Sequence, residues 1–152
     1  MLQNIILMLN TIAHDQGLNT VIAPGEYSGA LTIGGFNINI GLLESRKIIL
    51  FQAPIGIIPE KNQLKLFKKL LTANNLFIET SGATLGLDYN NGLITLQVAW
   101  PFENLTYSSL TDLIGNVILL TGEWIEKINK FNHEDNDCTS SKEFDVQKML
   151  AV

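Results

Sequence analysis

The chain has 152 residues, enough to bury one core, and is 46% hydrophobic but only 16% charged, against about 25% charged in an average soluble protein, which leaves apolar surface for a partner to cover. A net charge of -5 argues against nucleic-acid binding, which needs clustered Lys and Arg to displace counterions. The single cysteine, Cys138, cannot form an intrachain disulfide, and with no sign of an oxidising compartment the expected location is the cytoplasm.

The N-terminal run MLQNIILMLN has no leading Lys or Arg and is interrupted by Asn4 and Asn10, so it does not read as a signal peptide. Its apolar residues Leu2, Ile5, Ile6, Leu9, Ile12 and Ala13 recur every three or four positions and Gly17 follows, the pattern of an amphipathic helix with a glycine stop. Leu7 and Met8 widen the apolar surface beyond one stripe. From Tyr27 the period becomes two. Three strands are expected, around Leu31 and Ile33, from Phe36 to Leu42, and from Ile48 to Ala53. Gly34-Gly35 and Glu44-Ser45-Arg46 turn the chain between them, which makes the sheet antiparallel. The third strand is apolar on both faces, so cover is expected on each side.

A second helix is expected from Pro59 with Leu64, Phe67, Leu70 and Leu71 on one face, closed by Asn74-Asn75, since Asn tolerates the left-handed conformation at helix ends. Strands around Leu85 and Leu87 and from Leu93 to Trp100 flank Asn91-Gly92, a strong hairpin signal. Ile94, Leu96, Val98 and Trp100 point one way, and Pro101 ends the pairing. Thr106 is the expected cap of a long third helix whose stripe runs from Leu110 to Ile128 and includes Trp124. The pattern is α+β, with antiparallel strands and helices in the order α-β-β-β-α-β-β-α. The domain is expected over 1–130. Residues 131–152, with five acidic residues against two lysines, read as a polar, mobile tail.

Little in the sequence suits catalysis. His14 and Asp15 are adjacent and diverge by about 100° on a helix, and no nucleophile lies near His14. His133 and Cys138 are two ligands where zinc wants three or four. GALTIGGFNIN lacks the Lys-Ser/Thr of a phosphate loop, Glu79, Asp88 and Glu103 read as turn residues, and Lys61, Lys65, Lys68 and Lys69 as a solvated helix face. No apolar run reaches the roughly 18–20 residues of a membrane span, and the sequon at Asn104 carries no weight in a cytoplasmic chain. No cofactor or metal is expected.

The element order, together with Leu70-Leu71-x-Ala73-Asn74, Gly82, Leu85-Gly86-Leu87-Asp88, the strand Leu93 to Trp100 and the long helix carrying Trp124, resembles the class I type III secretion chaperones, the Tir chaperone (CesT-like) family. The resemblance covers the body before the tail. It implies a cytoplasmic homodimer of a Gram-negative bacterium that is not an enzyme. Such a dimer binds the N-terminal segment of one or more secreted effector proteins, keeps it non-globular, and delivers it to the secretion apparatus and its ATPase. It further implies a dimer interface at Phe67, Leu71, Ile94, Leu96, Val98 and Trp100. Clients would lie along Leu7, Met8, Leu31, Ile33, Ile38, Ile48 and Leu50. The alternatives are a related dimeric adaptor that binds a folded regulatory partner, and a small enzyme using His14 or the carboxylates.

Overall fold

The computed structural model describes the backbone of residues 1–150 and side chains through Glu134. Helix α1 (Leu2–Asp15) is followed by strands β1 (Ser28–Ile33), β2 (Phe36–Leu43) and β3 (Ile48–Ile57), helix α2 (Gln63–Asn74), strands β4 (Thr84–Asp88) and β5 (Leu93–Pro101), and helix α3 (Tyr107–Leu150). All neighbouring strands are antiparallel, in the order β1-β2-β3-β5-β4. The order of elements is the one the sequence pattern implies. The segment read as a polar tail, 131–152, begins on α3; its side chains beyond residue 134 lie outside the described residues.

The helices lie against one face of the sheet. A Cβ on Gly56 of β3 would stand 2.8 Å from Cγ2 of Ile128 in α3, and one on Gly29 of β1 would meet the carbonyl oxygen of Val21, just after α1. Gly29 pairs with Ile40 and Gly56 with Ile94, so alternation places Leu31, Ile38, Phe51, Leu96 and Val98 on the same inner face. All five are buried there with Ile5, Leu9, Leu66, Leu70 and Trp124. The core is thus one layer deep between sheet and helices.

Local chemistry fixes the helix ends. Gly17, at φ 71°, lets its own N–H donate to the His14 carbonyl and the Leu18 N–H to the Ala13 carbonyl, a Schellman closure of α1. At the start of α3, Thr106 Oγ1 accepts from the Ser109 N–H while the Thr106 N–H donates to Ser109 Oγ, so Thr106 caps this helix reciprocally as its position suggests. Asp15 accepts a 2.6 Å hydrogen bond from the Tyr107 hydroxyl, tying the end of α1 to the start of α3. That carboxylate raises the Tyr107 phenol above its ordinary pKa. Asp15 is therefore a tie between helices.

Asn10 interrupts the apolar run of α1 for a structural reason. Its Oδ1 accepts from the Val21 and Ile22 N–H groups at 2.9 and 3.0 Å, and its Nδ2 donates to the Ile22 carbonyl at 3.0 Å, which satisfies a buried connection lacking secondary-structure partners. Asn10→Ala is expected to destabilise the chain by about 2–4 kcal/mol, because it orphans two buried donors and one acceptor; urea unfolding measures it. A loss within 0.5 kcal/mol would mean that water replaces the amide.

Three expectations change. Helix α2 starts at Gln63 rather than near Pro59, with Asn62 in the left-handed region before it. Its buried stripe is Leu66, Leu70 and Ala73, whereas Leu64 and Leu71 are exposed. The left-handed residues after α2 are Leu76 and Phe77, not the Asn pair. Asn74 stays helical, and its side-chain amide accepts from the Leu85 N–H at 2.8 Å and donates to the Leu85 carbonyl at 2.9 Å. It thereby occupies main-chain groups on the outer edge of β4, an edge otherwise open to strand addition.

Candidate functional site

Two surfaces of the fold are left bare. The first is the outer face of the sheet. Ile48, Leu50 and Pro54 of β3 point opposite to the core residues Ile49, Phe51, Ala53 and Ile55, and they are half-exposed because the helices of this chain lie on the other side. The expected cover on both sides of β3 is thus supplied on one side only. An open hollow on this outer face is lined by Ser28, Ala30, Asn39, Gly41, Leu50 and Gln52. The small residues Ala30 and Gly41 leave the space, and Leu50 makes part of its floor apolar.

The same surface ends at the free edge of β1. Tyr27 and Leu42 are joined by a main-chain bond, and the register continues to Ile33 opposite Phe36 across the Gly34-Gly35 turn. Alternation then turns the N–H and C=O groups of Ser28, Ala30 and Thr32 away from β2. No described residue takes them up. β1 is therefore an open template for another strand, unlike β4, where Asn74 blocks the edge at Leu85.

The residues assigned to a client divide among three places. Ile48 and Leu50 lie on the bare outer face. Leu7, 66% exposed, and half-buried Met8 lie on α1, and half-buried Ile33 sits at the end of β1. Leu31 and Ile38 are buried in the chain's own core. These two are a correction: period-two patterning gives the parity of a strand but not which parity the helices cover.

The second bare surface follows α2 and β4. A groove of about 360 Å³ between them is lined by Phe67, Leu70, Leu71, Asn74, Leu85 and Leu87 among others, almost entirely with apolar atoms. Around it Leu64, Leu71, Leu76, Phe77, Ile78 and Leu87 are exposed. Among the residues assigned to a dimer interface, Leu71, Phe67 and Trp100 are accessible to different degrees. Ile94, Leu96 and Val98 are buried within the chain, a second correction, because the helix layer covers their side of β5. Sequence reading missed Leu64, Leu76, Phe77, Ile78 and Leu87 as surface groups. The signal was the run Leu76-Phe77-Ile78 directly after a helix end, where apolar residues have no periodic face to join.

The candidates for chemistry stay dispersed. His14 is exposed. Asp88 is engaged by its own turn, accepting from the Asn91 N–H and Nδ2, while Glu79 and Glu103 are exposed in separate connections. Among the described residues no three His, Cys, Asp or Glu side chains group to hold a metal, and no helix is long and apolar enough to cross a membrane. Lys65 and Lys69 both lie over the ring of Phe131, at 5.5 and 5.7 Å from its centroid, so part of the lysine face of α2 is held against α3 by cation–π contact. Cys138 lies outside the residues whose side chains are described.

Comparison with known proteins places this geometry. The chain is similar to the chain of the ExsC-ExsE complex (TM-score 0.70, 18% identity, covering 83% of this chain and 94% of that one). It is also similar to a chain of the HopA1-SchA chaperone-effector complex (TM-score 0.61, 18% identity, 79% and 91% covered). A further likeness is to YbjN from E. coli, named as a candidate transcription regulator (TM-score 0.61, 17% identity, 87% and 93% covered). A search of curated proteins gave no match. At these identities the structures establish the fold. The model of the Tir chaperone protein (CesT) family matches residues 8–124, which hold the whole sheet, all of α2 and parts of α1 and α3, and the chain belongs to that family.

Proposed function

We propose that this protein is a type III secretion chaperone. It acts as a cytoplasmic homodimer in a Gram-negative bacterium, binds the N-terminal segment of one or more effector proteins, keeps that segment non-globular, and hands it to the secretion apparatus and its ATPase without catalysis of its own. The observation that carries the reading is the bare outer face of the sheet ending at the open edge of β1. Family membership and the likeness to chaperone-effector complexes support it. An extended client segment adds its main-chain groups to β1, which supplies affinity without folding the client, and sets apolar side chains on Leu50 and Ile48 and beside Leu7 and Ile33.

The test is calorimetry with the first ~50–100 residues of an effector encoded beside this gene, long enough when extended to wrap a small dimer. Binding carries a negative heat-capacity change and depends weakly on salt, since apolar surface is being buried. Leu50→Glu and Leu7→Glu each weaken it at least about tenfold, by placing a charge on a surface the client dehydrates. Both residues lie outside the buried core, so the melting temperature stays near that of the parent. Unchanged binding by both variants would put the client elsewhere.

The likeness to YbjN favours a second reading, a dimeric adaptor for a folded regulatory partner. Amide exchange of the bound segment separates the two. A chaperone client stays unprotected outside the contacted stretches, whereas a folded partner keeps its own protected core.

A further inference from the structure

Strand β3 outruns its neighbour. Pairing between β2 and β3 ends at Asn39 opposite Gln52, and the next step of that register sets Asn37 against Pro54, whose nitrogen has no hydrogen to donate. On its other side β3 goes on pairing with β5 as far as Ile57 opposite Leu93, past an irregularity between Pro54 and Gly56. Residues 54–57 therefore have a strand neighbour on one side only. The Ile58 N–H donates to the Gly92 carbonyl at 2.8 Å, so alternation gives the main-chain groups of Gly56 and Ile58 to β5 and turns the N–H and C=O of Ile57 to the vacant side. No described residue takes them up.

A hollow of about 440 Å³ lies along this stretch, and α3 forms its other wall with Ile125, Ile128, Asn129 and Asn132. No charged residue lines it. Ile57 at its rim is 72% exposed, and the two asparagine amides offer donors and acceptors. An open main-chain edge beside aliphatic side chains and amides fits an extended, uncharged stretch of peptide. The neighbouring edge says where that peptide comes from. At the end of the β1–β2 hairpin, Phe36 reaches α3, its Cζ 3.5 Å from the Cβ position of Gly122, and Ile125 and Asn129 follow about one and two turns further along that side of the helix. A segment paired to the open side of β1 and one paired to Ile57 are two strand spacings apart, about 10 Å across the sheet, which three or four extended residues bridge. Half-buried Ile33 and Phe36 give apolar footing between them.

We infer that the effector segment that adds to β1 passes the Gly34-Gly35 end of the hairpin and pairs a second time, with Ile57, setting a short run of uncharged side chains against Ile125, Asn129 and Asn132 of α3. The inference rests on the client reading and deepens it with a second anchor and a sequence requirement. A charged client residue in this slot gives up its water and meets no charged side chain there. Because both contacts lie on one chain, losing the second weakens binding without abolishing it.

The test is calorimetry on the full chain with the first ~50–100 residues of an effector encoded beside this gene, followed by amide exchange of the complex. Ile57→Glu and Asn129→Lys each place a charge in the slot from an exposed position. The melting temperature is expected to stay near that of the parent while the dissociation constant of the segment rises at least about tenfold. Ile57→Val and Asn129→Gln are expected to bind as the parent does. In the parent complex the Ile57 amide becomes protected together with those of Ser28, Ala30 and Thr32. Protection along β1 with an unprotected Ile57 amide, and parent-like binding by both charged variants, overturns the second anchor and leaves the client reading standing. A segment that does not bind the parent overturns both.

Discussion

Gly29→Ala is expected to be among the most damaging single-methyl changes in this chain. The added Cβ would lie 1.8 Å from the Val21 carbonyl oxygen and 3.2 Å from Cγ1 of Ile22. The obstruction is backbone, so no rotamer relieves it. The connection cannot simply withdraw either: the N–H groups of Val21 and Ile22 and the Ile22 carbonyl are held by Asn10, and both side chains belong to the core. Either β1 moves off the helix layer or the connection gives up its hydrogen bonds to α1. Overpacking and broken bonds together come to about 3 kcal/mol or more, a fall in melting temperature of roughly 6–12 °C for a domain of this size. Gly41→Ala is the control, since nothing lies within 4 Å of its Cβ position and its φ is not positive. If both variants melt alike, the contact between β1 and the 21–22 connection is looser than these distances imply.

Gly29 also marks where sequence reading runs out. GALTIGGFNIN contains three glycines, of which Gly34 and Gly35 do what a hairpin turn demands, at φ 58° and 84°. Gly29 is present because another segment passes within van der Waals distance of its Cα, a non-local fact with no signature in a single chain. The element order was legible because period-two and helical spacing are strong and their boundaries are punctuated by Gly17, Gly34-Gly35, Asn91-Gly92 and Thr106. Facing was harder. In α2 the apolar residues fill two adjacent stripes, Leu66-Leu70-Ala73 and Leu64-Phe67-Leu71. Periodicity alone does not say which stripe the sheet covers. In β3 both faces are apolar, which local reasoning takes as burial twice over; the structure buries one and leaves the other as a candidate client surface.

The same ambiguity decides the outcome at two residues that the sequence groups in one interface. Val98 is buried at 9% exposure and stands opposite Phe51 on the inner face of the sheet, so Val98→Asp sets a carboxylate into the chain's own core with no cation beside it on β5. The carboxyl must either stay charged in an apolar site or take up a proton, and both routes favour the unfolded chain, by about 4 kcal/mol or more. Leu71 is 70% exposed in the single chain, so Leu71→Glu adds a charge that water solvates while the copies are apart. Its effect on the folded monomer is within about 0.5 kcal/mol, whereas in the proposed homodimer, with a second copy over the α2–β4 groove, it would desolvate a charge against apolar side chains. Leu71→Glu is therefore expected to give a folded chain of 16.8 kDa by light scattering, with parent-like circular dichroism. Val98→Asp is expected to lose its cooperative thermal transition or to melt far below the parent, at any protein concentration. The concentration series is the discriminating measurement, because a defect confined to an interface is rescued by mass action and a defect in the core is not. A Val98→Asp chain that remained a well-folded monomer would return β5 to the interface and require the helix layer to lie on the other side of the sheet.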